Sequence, residues 1–184
     1  GWTDLTVDGL LALAALLGAT VAVRSKRHPH PLLPPALFRE RTFTAANLAT
    51  LVFGAGFSAN ILNNVLFLRT VWSYGVVKAG LFSVLAPVVV AVASVIAGRL
   101  MRRVGFRPLV VGALLGFAAV TVAQARLLDA TPAPWTRWLP LMFLLGIAIG
   151  WTFPVLAAAA VHTLPADHFA LGGAINNTSR QVGA

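Results

Sequence analysis

The chain has 184 residues, of which 58% are hydrophobic and 10% charged, with 14 Lys and Arg against 5 Asp and Glu. A mean hydropathy of +0.83 excludes a soluble domain of this size, which would have to cover itself with polar side chains. The net charge of +9 does not point to nucleic acid, because the basic residues sit at the ends of apolar runs, where anionic lipid headgroups are the expected partner. With no cysteine, disulfides, thiolate metal sites and Cys nucleophiles are excluded.

Apolar segments run over Leu5–Val23, Phe43–Leu68, Ala79–Ala97, Leu109–Ala125 and Trp138–Val161, and a sixth begins at Phe169. A helix rises ~1.5 Å per residue and the hydrocarbon core is ~30 Å thick, so about 20 residues cross it. These segments predict an all-α, polytopic transmembrane helical bundle. The start at Gly1 and the stop within an apolar run lead us to expect an internal piece of a longer protein.

Residues 1–23 read as one membrane helix. Residues 24–41 follow as a connector: His28-Pro29-His30-Pro31 and Pro34-Pro35 are too proline-rich for a helix. His28 and His30 lack the further ligands that a metal site needs, so no metal is expected. Ala36–Arg41 reads as a short amphipathic lead-in. Residues 42–184 form the bundle proper.

The second segment carries Asn60, Asn63 and Asn64. An asparagine facing lipid would strand donors and acceptors, so these turn to the interior, either for interhelical hydrogen bonds or to line a substrate cavity with Phe57, Trp151 and Phe153. Trp151, mid-span, either packs or lines the cavity. Gly54, Gly56, Pro87 and Pro154 break helix regularity. Gly112-x-x-x-Gly116 and Gly146-x-x-x-Gly150 put small residues on one face and permit close helix approach. Trp72, Tyr74, Trp135 and Trp138 are expected in an outer interfacial belt, and Gln124 at the same level.

Charge sets orientation. The segment Arg24–Arg41 holds five basic residues, and the loop carrying Arg99, Arg102, Arg103 and Arg107 holds four. By the positive-inside rule both are cytoplasmic. In that second loop Gly98 is expected to allow close helix contact. Arg102 and Arg103 should compensate the negative end of the preceding helix, and Gly105 should supply a positive φ. His162 ends a span and reads as a dipole-compensating cap. No Asp, Glu or Lys lies mid-span. Asn176, Asn177, Arg180 and Gln181 read as a polar turn where the last helix begins, with Arg180 bound to lipid phosphate or anchoring the helix.

Gly98-Arg99-Leu100-Met101-Arg102-Arg103-Val104-Gly105-Phe106-Arg107 resembles the cytoplasmic loop signature of the major facilitator superfamily, with Arg102 where the family carries an acidic residue. His30-Pro31-Leu-Leu with Leu37-Phe38-Arg39-Glu-Arg41-Thr-Phe43, and Gly173–Gly183 with its Asn176-Asn177-Thr-Ser-Arg180-Gln181 core, are similar to passages of the fourteen-helix drug:proton antiporters. The resemblance implies a linker helix, helices nine to twelve and the start of helix thirteen, in an inner-membrane exporter of amphipathic small molecules that works by alternating access. Protons would be the coupling ion and membrane lipid the surroundings. The gating loop would be Gly98–Arg107, and the proton-carrying carboxylate would lie outside this stretch. Competing expectations are an exporter of one dedicated lipid or natural product, or a non-transporting half-transporter subunit. No clustered acid, base and nucleophile points to an enzyme, and no organic cofactor is expected.

Overall fold

A computed structural model describes residues 5–27 and 35–184; the His28–Pro34 connector lies outside them. Helix α1 spans Leu5–Arg27. The bundle follows: α2 Arg41–Leu66, α3 Val76–Ser83, α4 Leu85–Val104, α5 Phe106–Leu127, α6 Leu139–Val161 and α7 Phe169–Gly183. No strand occurs among the described residues. A π-helical turn, Phe67–Val71, extends α2, and another, Pro134–Trp138, leads into α6. Four continuous stretches are long and apolar enough to cross a membrane: Arg41–Val71, Val76–Val104, Phe106–Leu127 and Pro134–Val161. The chain is an all-α, multi-pass membrane bundle.

Several elements overrun the expected spans, α1 at its end and α5 at both ends, because helical hydrogen bonding, unlike hydropathy, does not stop at the first charged residue. The segment expected as Ala79–Ala97 lies within one continuous apolar stretch, whose α-helical hydrogen bonding is interrupted for a single residue at Val84 while the backbone keeps φ −65° and ψ −28°. Pro87 has no N–H to give the Ser83 carbonyl, and the backbone relaxes one turn upstream. Pro154, in contrast, lies inside an unbroken α6.

Helix α6 is the hub. Its largest interface is with α4, then α5, and it also touches α2 and α7. Lipid is as apolar as leucine, so helices associate in it through close packing and polar ties. A Cβ at Gly146 would lie 2.7 Å from the Val89 Cβ, and one at Gly150 would lie 2.7 Å from the Val90 carbonyl oxygen. Neither site has room for a side chain. The other glycine pair behaves differently: nothing approaches Gly112 within 4 Å, and Gly116 makes only ordinary contact with Ala148 at 3.8 Å. Gly98, expected at a close contact, also has nothing within 4 Å. Gly105 does turn the chain between α4 and α5, with φ +80° and ψ 170°.

On the other side α7 lies along α2. A Cβ at Gly54 would meet the Arg180 carbonyl oxygen at 2.6 Å, and Gly183 rests directly on the Leu51 backbone. The lead-in is a 3-10 turn, Pro35–Arg39, held from inside the bundle: Leu37 is buried with Phe43, Leu164 and Ile175.

The tryptophans require a correction. Trp72, Tyr74 and Trp138 are core residues, at 5%, 8% and 0% exposure, and only Trp135 projects outward. Phe67 stacks on Trp138 with ring centres 6.0 Å apart, and Trp72 tilts against Trp138 at 5.5 Å. Their indole N–H groups, which need partners when buried, donate to main-chain carbonyls: Trp72 to Asp129 in the loop after α5 at 2.9 Å, and Trp138 to Phe82 near the end of α3 at 3.1 Å.

Gly150→Ala is therefore expected to destabilise the full-length protein by about 1–3 kcal/mol, the usual range for overpacking, while Gly112→Ala stays near neutral. Thermal unfolding of the two purified variants followed by size-exclusion fluorescence checks this; equal melting points would show that the α4–α6 approach is slack.

Candidate functional site

A cavity of about 350 Å³ opens between α2, α3, α4 and α6. Helix α2 supplies Phe57, Asn60, Ile61, Asn64 and Val65, whose i, i+3/i+4, i+7/i+8 spacing keeps them on one face. Ser83, Ala86, Pro87 and Val90 line the second wall, and Met142, Leu145, Ile149 and Phe153 of α6 the third. The break at Val84 thus lies in the cavity wall, and Ser83 returns its hydroxyl proton to the Ala79 carbonyl at 2.9 Å. Aromatic rings make one end. Phe57 and Phe153 meet edge to face at 5.2 Å, and Phe53 braces both, at 6.0 Å from Phe57 and 5.2 Å from Phe153.

The polar pole is a closed ring of amides. Asn64 Nδ2 donates to Asn60 Oδ1 at 2.7 Å, Asn60 Nδ2 to Gln124 Oε1 at 2.9 Å, and Gln124 Nε2 to Asn64 Oδ1 at 3.3 Å. Thr121 Oγ1 accepts a longer bond from Asn60 at 3.4 Å and passes its own proton to the Phe117 carbonyl at 2.9 Å. All three amides are buried. Asn60 and Asn64 also line the cavity, while Gln124 stands behind them and ties α5 to α2.

Gln124 is therefore a buried partner and not an interfacial residue. The signal was available: the buried positions Leu109, Ala113, Val120 and Gln124 of α5 fall 4, 7 and 4 apart, a single helical stripe. Asn63 departs from its neighbours. One residue from Asn64 means a rotation of about 100°, which leaves it exposed and outside the cavity. Trp151 also lies outside it, packed against the cluster of Ala97, Leu109 and Val155, because the wall-forming face of α6 runs through Leu145, Ile149 and Phe153.

The remaining candidates divide by face. Asn176 is buried and donates to Thr50 Oγ1 at 2.8 Å and to Asn47 Oδ1 at 3.4 Å, while Asn177 accepts from Arg180 at 2.6 Å. Gln181 is exposed. The four sit within a continuous helix and not on a turn. Arg99, Arg102, Arg103 and Arg107 surround the α4–α5 turn, with Arg102 and Arg103 in the last turn of α4. His162 caps α6 and meets the Phe106 ring edge to face at 4.7 Å. Among the described residues no group of three His, Cys, Asp or Glu converges to hold a metal.

The superfamily model for the major facilitators matches residues 5–184. The chain belongs to the major facilitator superfamily. It is 32% identical over 186 residues to the puromycin resistance protein of Streptomyces alboniger, covering all of this chain and 37% of that protein. It is 26% identical to the tetracenomycin C resistance and export protein of Streptomyces glaucescens, covering all of this chain and 34% of that relative. A multidrug transporter of Bacillus subtilis shares 23% identity over 99% of the chain and 33% of its own length. The chain thus spans about a third of the length of these relatives, which are transporters and not enzymes.

Two outcomes are expected from this geometry. Gln124→Leu leaves Asn60 and Asn64 without their buried partner, a loss of about 1–3 kcal/mol, while the residues facing the cavity stay unchanged. Thermal unfolding should therefore fall without a change in relative ligand affinities; an unaltered melting point would mean that the ring contributes nothing. The loop residue Asp129 is held below the usual carboxylate range, chiefly by its hydrogen bond from Arg137 at 2.5 Å. A depressed carboxylate stabilises the fold above its unfolded pKa, about 3.9, and loses that contribution only as pH falls through the still lower folded value. Asp129→Asn should then leave the shape of a transport–pH profile unchanged between pH 5 and 8; a displaced profile would place a titrating Asp129 in that window.

Proposed function

We propose that this chain forms the C-terminal half-bundle, with α1 as a preceding linker helix, of a secondary transporter that exports amphipathic small molecules by alternating access. In this reading α2 is helix nine, α3 and α4 together helix ten, α5 and α6 helices eleven and twelve, and α7 opens helix thirteen. The protein sits in the inner (plasma) membrane with the Arg24–Arg41 and Arg99–Arg107 loops in the cytoplasm, a placement supported by the charge asymmetry of the loops. The observation that carries the reading is the cavity itself: three apolar walls, an aromatic end and one neutral polar pole between membrane-spanning helices. Ligand sites of this kind hold an apolar body by area and orient it by a few polar groups. The relatives named for drug resistance and export support the direction of transport.

Protons are the proposed coupling ion, by way of a carboxylate elsewhere in the parent protein. The four spans contain no Asp or Glu. Amides do not titrate, and arginine stays charged. The Arg99–Arg107 loop is read as the gate, its Gly105 turn fixing the end of α4 against the start of α5.

A second reading keeps the mechanism and narrows the cargo to a single natural product. It is supported by the relatives named for one antibiotic each, puromycin, tetracenomycin C and methylenomycin A. Substrate breadth separates the two.

The test is efflux of a panel of amphipathic dyes and antibiotics by the full-length protein in an efflux-deficient host, with and without a protonophore. Multidrug export predicts several transported compounds and collapse of transport on uncoupling. Asn64→Leu, which removes a cavity-facing amide, should change relative resistance across the panel severalfold at unchanged expression. A panel reduced uniformly, or no transport of any compound, would count against the reading. Residues 1–184 alone in liposomes should show no proton-driven efflux.

A further inference from the structure

Helix α7 carries one charged side chain, Arg180, eleven residues beyond its start at Phe169, or about 16 Å along the axis. In the export reading, where α7 opens a further span, a guanidinium at that depth costs about 2.5–3.5 kcal/mol on insertion scales if it faces lipid, which favours a place against protein or a water-filled cavity. Here it is half-buried and lines a second hollow, of about 380 Å³, between α2, α6 and α7. A phospholipid phosphate lies at the edge of the ~30 Å hydrocarbon layer, about a half-thickness away, so a lipid headgroup is a poor partner for it.

The contacts of Arg180 are neutral. One N–H of Nη2 reaches Asn177 Oδ1 at 2.6 Å, and the guanidinium lies 5.3 Å from the centre of the Phe153 ring. Among the described residues it forms no ion pair, and the four spans offer no carboxylate. A guanidinium has five N–H donors in a rigid fork matched to planar anionic acceptors, and most of these remain for a ligand. Phe153 lines both hollows, so the apolar cavity and the basic one share a wall. For a molecule lying against Phe57 to bring a polar group to Arg180, the Phe153 ring between the two hollows has to turn aside.

We infer that Arg180 is a specificity residue: with Asn177 it forms an anion-recognising annex to the cavity, selecting amphipathic substrates that bear a carboxylate, sulfonate or phenolate. The inference rests on the export reading above and deepens it. The amide ring carries no charge and discriminates little between cations, anions and neutral molecules. Arg180 supplies the sign.

The experiment is direct binding to the full-length purified protein in detergent, with 8-anilinonaphthalene-1-sulfonate as the anionic probe and tetraphenylphosphonium as the cationic one. Arg180→Gln is expected to weaken sulfonate binding about tenfold or more, a loss of about 1.4 kcal/mol, and to change phosphonium binding less than twofold. Arg180→Lys should recover part of the sulfonate affinity. Asn177→Asp keeps Arg180 and sets a carboxylate against it, so it should also depress sulfonate binding, which guards against a glutamine variant that fails to fold. Equal losses for both probes, or unchanged sulfonate affinity in Arg180→Gln and Asn177→Asp, would overturn the inference. Wild-type protein that binds phosphonium but not the sulfonate would overturn it while leaving the export reading in place. Protein that binds neither would sink both.

Discussion

Close approach of backbones at α6 is the constraint on which the rest of the bundle depends. In water an apolar helix is driven onto its neighbours; in lipid that drive is absent, and what remains is contact and polar pairing. Gly146 and Gly150 bring the α4 backbone near enough for contact with Ala86, Val89, Val90 and Ala93. Once α4 is fixed there, Pro87 and the break at Val84 have a set position. The cavity lies where α2, the α3–α4 segment and α6 face one another, with Ser83, Ala86, Pro87 and Val90 forming the wall between the other two. Larger residues at the two glycines would press on the backbone of Ala86 and Val90, two lining residues, and so move the α4 wall itself.

Polar pairing ties the other helices. The amides of α2 and α5 hold one flank, and Asn47, Thr50 and Asn176 hold α2 to α7 on the other. Measured interhelical hydrogen bonds in membranes contribute roughly 0.6 kcal/mol each, up to about 1.7, so these ties give register more than strength. Beyond the end of α2 the same role falls to the indole N–H groups of Trp72 and Trp138, which fix the 128–133 loop and the α3 end to one aromatic cluster. Helix α2 therefore carries three separate fastenings along its length, to the loop, to α5 and to α7.

Much of this was legible in the sequence, for definable reasons. Length and hydropathy report helices directly, because only a helix satisfies its own backbone in lipid, and Gly105 was readable because a positive φ leaves few alternatives. What the sequence does not carry is which helix a face meets. Asn60 and Asn64 were readable as inward-facing, but their partner lies sixty residues away in α5, and Gln124 near a helix end has the same composition signature as an interfacial residue. Trp72 and Trp138 have that ambiguity too: an indole is at home in a headgroup layer or in a core with a carbonyl in reach. Gly112-x-x-x-Gly116 and Gly146-x-x-x-Gly150 are indistinguishable as motifs, and only the second has a backbone pressed against it.

The amide ring has a property that follows from its closure. Each member gives one N–H to the next and takes one from the last, so turning all three amide planes over reverses the circulation while keeping every bond in the circuit. The clockwise and anticlockwise arrangements differ in what they offer the cavity, since an amide presents an oxygen on one side and a second N–H on the other. Reversal needs no change in charge, backbone or protonation of the amides, but it gives up the long bond from Asn60 to Thr121 unless that hydroxyl turns its proton away from the Phe117 carbonyl. In the export reading proposed above, the pole of the cavity would thus be an adjustable surface built from side-chain rotation alone.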